Sequence, residues 1–270
     1  MNVLLIVVAV LYALLAGFVW RFWRHRADDV YPLNRERMVL WPTWVMHTIL
    51  VWLPMLQDRV LLVGFGHALD LVAWLMMTLY LVGSYRYALK GLQLLLFPLA
   101  AMTLLVAVFL PGQPLAYPLQ NWPFMVHVSA ALLAYGLFGI ITLLAILMLV
   151  LNHALHQRKM SPMVSFLPPL LSIEKLMFQG IKGGFVLLTV AVISGTFFAE
   201  AVFGEPAQLT HKTIFGVISW VIYAVILFKH HTQAWRGKKA AWWVIVAFVA
   251  LMLAYIGSKF VLEILLHRMG

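Results

Sequence analysis

The sequence predicts an all-α integral membrane protein, built as a bundle of about eight transmembrane helices. Mean hydropathy is +0.96, 64% of the 270 residues are hydrophobic and only 10% are charged, which excludes a soluble globular domain. Apolar runs of about 18 residues or more, the length needed to cross the hydrocarbon layer, recur along the whole chain. They lie at 2–20, 38–56, 67–84, 91–110, 124–151, 184–201, 213–229 and 240–266. The third run is the least regular, because it opens with His67 and carries Asp70.

The basic residues predict how this bundle is oriented. Arg21, Arg24 and Arg26 follow the first apolar run instead of preceding it, so this run is read as a retained helix and not as a cleaved signal peptide. When Lys and Arg are sorted by alternate loops, fifteen of the nineteen fall on one side and four on the other. Because basic loops stay in the cytoplasm, we expect both termini outside. The net charge of +10 then reflects topology and contact with anionic lipid, and nucleic acid is not expected as a partner.

We expect a single polytopic membrane domain, 1–270, with no internal repeat. The longest interruption follows the fifth apolar run, on the predicted cytoplasmic side. Within it, the stretch 168–178 opens with two prolines and carries Leu171, Lys175 and Phe178 at helical spacing. This pattern predicts one amphipathic helix that lies in the membrane interface and leads into the sixth span.

Two predicted outer loops have a distinctive composition. Residues 111–123 are rich in proline and aromatic residues, Tyr117 and Trp122 among them. Such a loop can form a platform for a planar ligand or an ordinary interfacial aromatic belt, and composition alone favours the belt. The second loop, 200–212, carries two glutamates, a lysine and His211.

Four histidines at or within the spans are candidate metal or haem ligands. His127 opens the fifth span and His267 closes the eighth at a similar depth, as a bis-histidine site requires, although interfacial histidines also coincide by chance. His47 lies near mid-membrane, where it is either a hydrogen-bonded structural residue or a ligand. His230 lies at the inner end of the seventh span. Pairing it with His47 would require a tilted or broken helix, because the two differ in depth by an estimated 10–15 Å.

Other polar features have simpler explanations. We read Asp70 as structural, either capping the third span or pairing with Arg59 or His67. The chain has no cysteine, so it cannot exchange disulfides or hold an iron–sulfur cluster. It also has no nucleotide-binding loop, zinc-binding HExxH motif or nucleophile elbow.

Several stretches of the second half carry a resemblance to a known family. They are Gln120–Val128 with Ala134–Gly136, Gly184–Gly195, and Ser219–Ala224 with Ala234–Ala241 and the closing Leu266–His267. They resemble the cytochrome c assembly membrane proteins, the CcsA/CcmC/CcmF haem-handling group. The resemblance covers about 120–270, and the first four spans match by topology only.

The resemblance implies roles for particular residues. In that family two outer histidines are axial ligands of haem iron, and His127 and His267 take those positions here. His230 is the nearest equivalent of a further histidine that holds haem within the membrane in some members. The family's tryptophan-rich WWD loop is missing, since the corresponding stretch 203–213 contains no tryptophan or aspartate. The chain therefore resembles a divergent, YpjD-like branch of the family.

We accordingly expect a bacterial inner-membrane protein that binds haem b and presents or transports it at the outer face during cytochrome c biogenesis. Trp122 is a candidate haem-contacting aromatic. Expected partners are the lipid bilayer, other maturation subunits and apocytochrome; haem lyase activity would require such partners. Two alternatives stay open: a haem-free scaffold or assembly factor of the same fold, and a b-type electron carrier that uses His47 and His230.

Overall fold

The computed structural model describes residues 2–26, 30–87, 89–120, 122–157, 167–197, 199–200 and 210–266. These residues form an eight-helix membrane bundle with one short two-stranded sheet. The helices are α1 (Asn2–Arg26), α2 (Leu33–Asp58), α3 (Phe65–Gly83), α4 (Gln93–Phe109), α5 (Trp122–His156), α6 (Leu170–Phe197), α7 (His211–Gln233) and α8 (Gly237–Met252). The α8 backbone continues through two π-helical segments, Leu253–Gly257 and Phe260–Leu265.

The predicted all-α multi-pass fold is confirmed. Seven of the described helices are long and apolar enough to cross a membrane, and α4 is the shorter eighth at 17 residues. The third run, the least regular in sequence, forms the 19-residue helix α3, in which Asp70 has a partner on the neighbouring helix. The outward orientation of the termini stays a prediction.

One helix differs from expectation at its start. Residues 170–178 are the first turns of α6 and continue into the sixth span as one helix, with no separate amphipathic helix between them. Ile173, Met177 and Phe178 form the buried face of this part of α6. Leu171 lies on the other face and is 73% exposed. The position of this segment relative to the lipid interface remains a prediction.

The helices pack as two halves around a continuous apolar core. Helices α1 to α4 contact one another, as do α5 to α8, and the two halves meet chiefly where α3 packs against α5. Across the second half, the rings of Phe138 and Tyr223 stack with centroids 3.8 Å apart. The core extends from Val8 in α1 to Ile256 beyond α8.

Two buried polar networks hold the first half together. His47 is fully buried, with Nδ1 3.1 Å from the Tyr12 hydroxyl and Nε2 2.9 Å from Asp70 Oδ1. The prediction that Asp70 pairs with Arg59 or His67 is therefore wrong, because the packing of α2 against α3 gives its carboxylate a closer partner on α2.

The second network surrounds Glu36, which is 1% exposed. Its carboxylate accepts hydrogen bonds from the hydroxyls of Tyr31 (2.5 Å) and Tyr80 (2.6 Å) and from Gln93 Nε2 (3.3 Å). Burial, followed by the adjoining carboxylate, raises the pKa of Tyr31 above its usual range. Buried charges need such partners, so the network ties α2, α3 and α4 together near the predicted cytoplasmic side.

The small sheet lies at the opposite end of the bundle and was not predicted. Strand β1 (Val60–Val63) pairs antiparallel with β2 (Leu115–Pro118), with Val60 opposite Pro118 and Val63 opposite Leu115. It joins the loop after α2 to the loop after α4. This end also holds the start of α5, the end of α6, the start of α7 and the end of α8.

Candidate functional site

A cavity of about 560 Å³ lies at this end of the bundle. Its volume falls within the range of small-molecule and cofactor sites, roughly 300–1,000 Å³. Side chains from both strands and from α3, α5, α6, α7 and the end of α8 line it. Most of the wall is apolar, and the polar groups on it are few. Such a wall suits a ligand with a large apolar body and a small number of polar contacts.

His127 is one of these polar groups and projects from the second turn of α5. Its Nδ1 lies 2.9 Å from Ser194 Oγ on α6. The single proton of that hydroxyl is directed to backbone carbonyls of α6, with Val190 O at 2.7 Å and Ala191 O at 3.2 Å. Ser194 therefore accepts a hydrogen bond from His127, which assigns the ring proton to Nδ1 and the lone pair of the neutral imidazole to Nε2.

This tautomer matters because metal-ligating histidines use one ring nitrogen for the metal and donate from the other to a nearby oxygen. The hydrogen bond fixes both the tautomer and the orientation of the ring. Ser194 thus acts as a positioning residue for His127.

Gly195 allows His127 to approach α6 closely. A Cβ atom at this position would lie 2.9 Å from His127 Cε1 and 3.5 Å from Nδ1. The first distance is too short for a real side chain, so the glycine leaves the space that the ring occupies. Positions 194 and 195 together define where the imidazole lies.

A buried ion pair forms a second polar feature of the cavity. Lys259 is 3% exposed, and its ammonium lies 2.9 Å from Glu263 Oε1. The other carboxylate oxygen accepts the backbone N–H groups of Phe65 (2.9 Å) and Gln113 (3.1 Å). Gly112, with φ +71°, passes so close that a Cβ there would be 2.2 Å from that oxygen. The pair therefore ties the end of α8 to the start of α3 and to the loop before β2.

A second lysine, Lys212, lines the same cavity from the first turn of α7 and is half-buried. It lies close enough to Lys259 and Glu263 to interact electrostatically with both. Among the described residues, no carboxylate lies within 4.0 Å of its ammonium group. Two lysines and one carboxylate thus leave this part of the cavity with a net positive charge.

The aromatic loop before α5 contributes to the wall. Tyr117 stacks on Phe124 with ring centroids 4.3 Å apart, and both rings line the cavity, whereas composition alone favoured an interfacial belt for this loop. Trp122, the aromatic suggested by sequence, is 74% exposed and does not line the cavity. It is the first residue of α5, five residues before His127.

The other predicted histidines lie elsewhere. His47 does not line the cavity, and both of its ring nitrogens already have hydrogen-bond partners on α1 and α3. His230 Nδ1 lies 2.9 Å from the Trp235 carbonyl, and its ring stacks on Phe178 with centroids 3.6 Å apart. His267 lies outside the described residues, and so do residues 203–209 of the stretch 203–213 that corresponds to the family's tryptophan-rich loop.

The described residues contain no group of three or more His, Asp or Glu side chains that could hold a bare metal ion. With the described residues alone, an iron centre at this cavity would need a ligand that brings most of its own donor atoms, as a porphyrin does, with the protein supplying axial positions. His127 fits that requirement, and the volume and apolar wall fit the body of such a ligand.

Comparison with known proteins gives a consistent result. The profile of the Cytochrome C assembly protein family matches residues 34–266. The chain is 28% identical over 171 residues to the inner membrane protein YpjD of Escherichia coli K12, an alignment that covers 63% of this chain and 64% of that protein. It is 30% identical over 156 residues to the cytochrome c biogenesis protein CcsA of Guillardia theta, which covers 52% of each.

A further relative is protein HemX of Brevibacillus brevis, 23% identical over 188 residues, with 68% of this chain and 69% of that protein aligned. The alignments with the YpjD and CcsA proteins span less than two thirds of those relatives' own lengths. The family profile, by contrast, covers most of the chain. This multi-pass membrane protein belongs to the cytochrome c assembly protein family.

Proposed function

We propose that this chain binds haem at the outer face of the bacterial inner membrane and handles it for cytochrome c assembly. The observation that carries the proposal is the setting of His127, which lines a largely apolar cavity of about 560 Å³ while its Nδ1 donates a hydrogen bond to Ser194 Oγ. In that tautomer Nε2 carries the lone pair with which an imidazole coordinates iron. Family membership and the relatives named for cytochrome c biogenesis support the same role.

His267 is the proposed second axial ligand. In the sequence it comes two residues after Leu265, the last residue of the second π-helical segment, and residues earlier in the same stretch, among them Tyr255 and Lys259, line the cavity. The two histidines would then approach the ligand from α5 and from the end of α8. Axial imidazoles set the spin state and redox potential of haem iron, which is the chemistry that the bound ligand supplies.

Haem is cargo in this proposal. The chain has no cysteine and so offers no thiol for covalent attachment; the cysteines of an apocytochrome would have to be brought by a partner. Its own residues hold the ligand by His127, exclude water with an apolar wall and keep the iron accessible at one end of the bundle. Lyase activity, if it occurs, therefore belongs to an assembly with other maturation subunits.

A second candidate function is that of a haem-free assembly factor with the same fold. The observation that favours it is the stretch 203–213, which lacks the tryptophans and aspartate of the family's outer loop. An electron carrier that uses His47 is less well supported, because the ring nitrogens of this residue are occupied by Tyr12 and Asp70.

The test is the visible absorption spectrum of the detergent-purified protein, oxidised and reduced, after expression with added haem precursor. We expect a b-type spectrum in the wild type and its loss in His127→Ala and in His267→Ala. His153→Ala, an exposed histidine at the opposite end of α5, serves as the matched control and should keep the spectrum. Absence of haem from the wild type would overturn the proposal and leave the assembly-factor function.

A further inference from the structure

We propose that Lys212, Lys259 and the Tyr255 hydroxyl form a binding site for the acidic groups of the ligand that occupies the cavity. The ligand class is an amphipathic carboxylate: a flat apolar body with one or more carboxylate groups on one edge. The inference rests on the proposed function for the identity of that ligand, which would be a porphyrin dicarboxylate. The inference assigns a role to the lysine-bearing part of the cavity wall. The ligation of iron by His127 does not involve that part.

The charges of the cavity wall carry this inference. The Lys259 ammonium is almost fully buried and carries three donor hydrogens, and Glu263 Oε1, 2.9 Å away, forms an ion pair with it but has no hydrogen-bond partner among the described residues. The other carboxylate oxygen of Glu263, Oε2, already accepts hydrogen bonds from two backbone N–H groups. Lys212 adds a second ammonium with no carboxylate in ion-pair range among the described residues. A desolvated positive charge without an anion is costly, so a bound carboxylate would stabilise this arrangement.

Tyr255 supplies an independent observation. Its ring lines the cavity, and its hydroxyl oxygen is buried with no hydrogen-bond partner among the described residues. Buried hydroxyls are nearly always hydrogen-bonded, and an unsatisfied one on a cavity wall points to a partner supplied by a ligand. The hydroxyl is close enough to Glu263 to interact electrostatically with it, so it lies near the lysines.

The backbone explains why these groups meet. Tyr255 lies in the first π-helical segment beyond α8, and Lys259 lies between the two segments. A π-helical turn changes the rotation of the residues that follow it, which re-aims side chains, and such turns are frequent at functional sites. Lys212 comes from the first turn of α7, where the positive end of the helix dipole adds to the attraction for an anion.

The two ends of the ligand are therefore recognised by different chemistry. The His127 imidazole on α5 would coordinate the metal, whereas the lysine ammonium groups would bind the carboxylates. The carboxylates are present on the ligand whether or not it carries iron. An iron-free porphyrin tests the second contact without the first.

The experiment measures binding of protoporphyrin IX and of its dimethyl ester to the full chain in detergent, by quenching of tryptophan fluorescence. We expect the diacid to bind the wild type about tenfold more tightly than the diester. One charge-assisted hydrogen bond contributes an affinity ratio of about that size. Lys212→Gln should weaken diacid binding about tenfold and leave diester binding unchanged, and Lys212→Arg should retain diacid binding. Arg59→Gln removes an exposed charge on the same side and should change neither affinity.

Equal affinity of the wild type for diacid and diester would overturn the inference, and so would undiminished diacid binding by Lys212→Gln. The comparison of the two porphyrins on the wild type stands even if the variant fails to fold. His127→Ala separates the inference from the proposed function: diacid preference retained in that variant supports the lysine site, whatever happens to iron ligation. Absence of binding by both porphyrins would overturn the inference, whereas the haem spectrum of the wild type tests the proposed function separately.

Discussion

Replacing Gly195 by alanine should disrupt the candidate ligand site while leaving the fold intact. The added Cβ would lie 2.9 Å from His127 Cε1, about 0.5 Å short of the 3.4 Å at which ordinary van der Waals contact begins. The backbone of α6 is fixed by its packing against α5, so the imidazole has to move. A shift of about 0.5 Å reaches the tolerance within which a metal-binding group must be held.

The expected size of the effect follows from this shift. Displacing the ring stretches its 2.9 Å hydrogen bond to Ser194 and turns Nε2 from its proper direction. Disturbing such a supporting hydrogen bond typically lowers metal affinity by about 10–100-fold. The steric cost to the folded state is about 1–3 kcal/mol, partly offset by the better helix propensity of alanine, so the variant should still purify as a folded protein.

The assay is a titration with haemin, followed by the Soret band, on wild type and Gly195→Ala. Gly17→Ala is the matched control, because it makes the same substitution on the exposed surface of α1 and its Cβ meets nothing within 4 Å. We expect weakened binding and an altered spectrum only at position 195. Unchanged affinity and an unchanged Soret maximum in Gly195→Ala would refute the assignment of the His127 position.

Three further variants test the buried polar groups by thermal unfolding in detergent. His47→Ala should destabilise the protein by about 1–3 kcal/mol for each of the two partners that it orphans, yet leave any haem spectrum unchanged. Tyr80→Phe removes the 2.6 Å hydrogen bond to Glu36 and should cost about 1.5–3 kcal/mol. Glu263→Ala leaves the Lys259 ammonium buried without its counter-ion and should cost about 3–5 kcal/mol.

Each of these variants has a result that would contradict the structure. Tyr87→Phe, an exposed tyrosine near the end of α3, is the control for Tyr80→Phe and should unfold like the wild type. Loss of bound haem in His47→Ala at wild-type stability would favour the electron-carrier alternative. A Glu263→Ala protein as stable as the wild type would mean that the ion pair does not hold the end of α8 in place.

Much of the fold could be predicted from the sequence, because membrane helices are specified by long apolar runs whose signal is strong. All eight runs correspond to helices. The start of α6 was misplaced by about one half of its length because Glu174 and Lys175 interrupt the apolar run, although Glu174 is buried against the neighbouring helices. The two-stranded sheet was missed because each strand has only four residues, too few to show a periodic pattern.

The candidate site was predictable only in part. His127 was identified because it and His267 lie at a similar depth at the outer ends of two spans and because the family resemblance points to it. Ser194 and Gly195 entered only as the end of the stretch Gly184–Gly195 that carries the resemblance, and Lys259 was not identified, because the importance of all three depends on contacts between helices far apart in the chain. For Lys259, the sequence signal was a glutamate four residues later near the end of an apolar span, the spacing at which helical side chains pair. Trp122 was suggested as a haem-contacting residue because it is aromatic. Whether its side chain reaches the cavity depends on where α5 begins, which the sequence does not specify.

The most direct test of the central claim is a haemin titration of His127→Gly in the absence and presence of free imidazole. Removing the side chain opens space in the cavity at the position of the ring, and imidazole supplies the same donor nitrogen without the link to α5. The account predicts that the low-spin b-type spectrum is lost in His127→Gly and returns when imidazole is added. A low-spin spectrum that is unchanged in His127→Gly without imidazole would show that another residue holds the iron and would contradict the account.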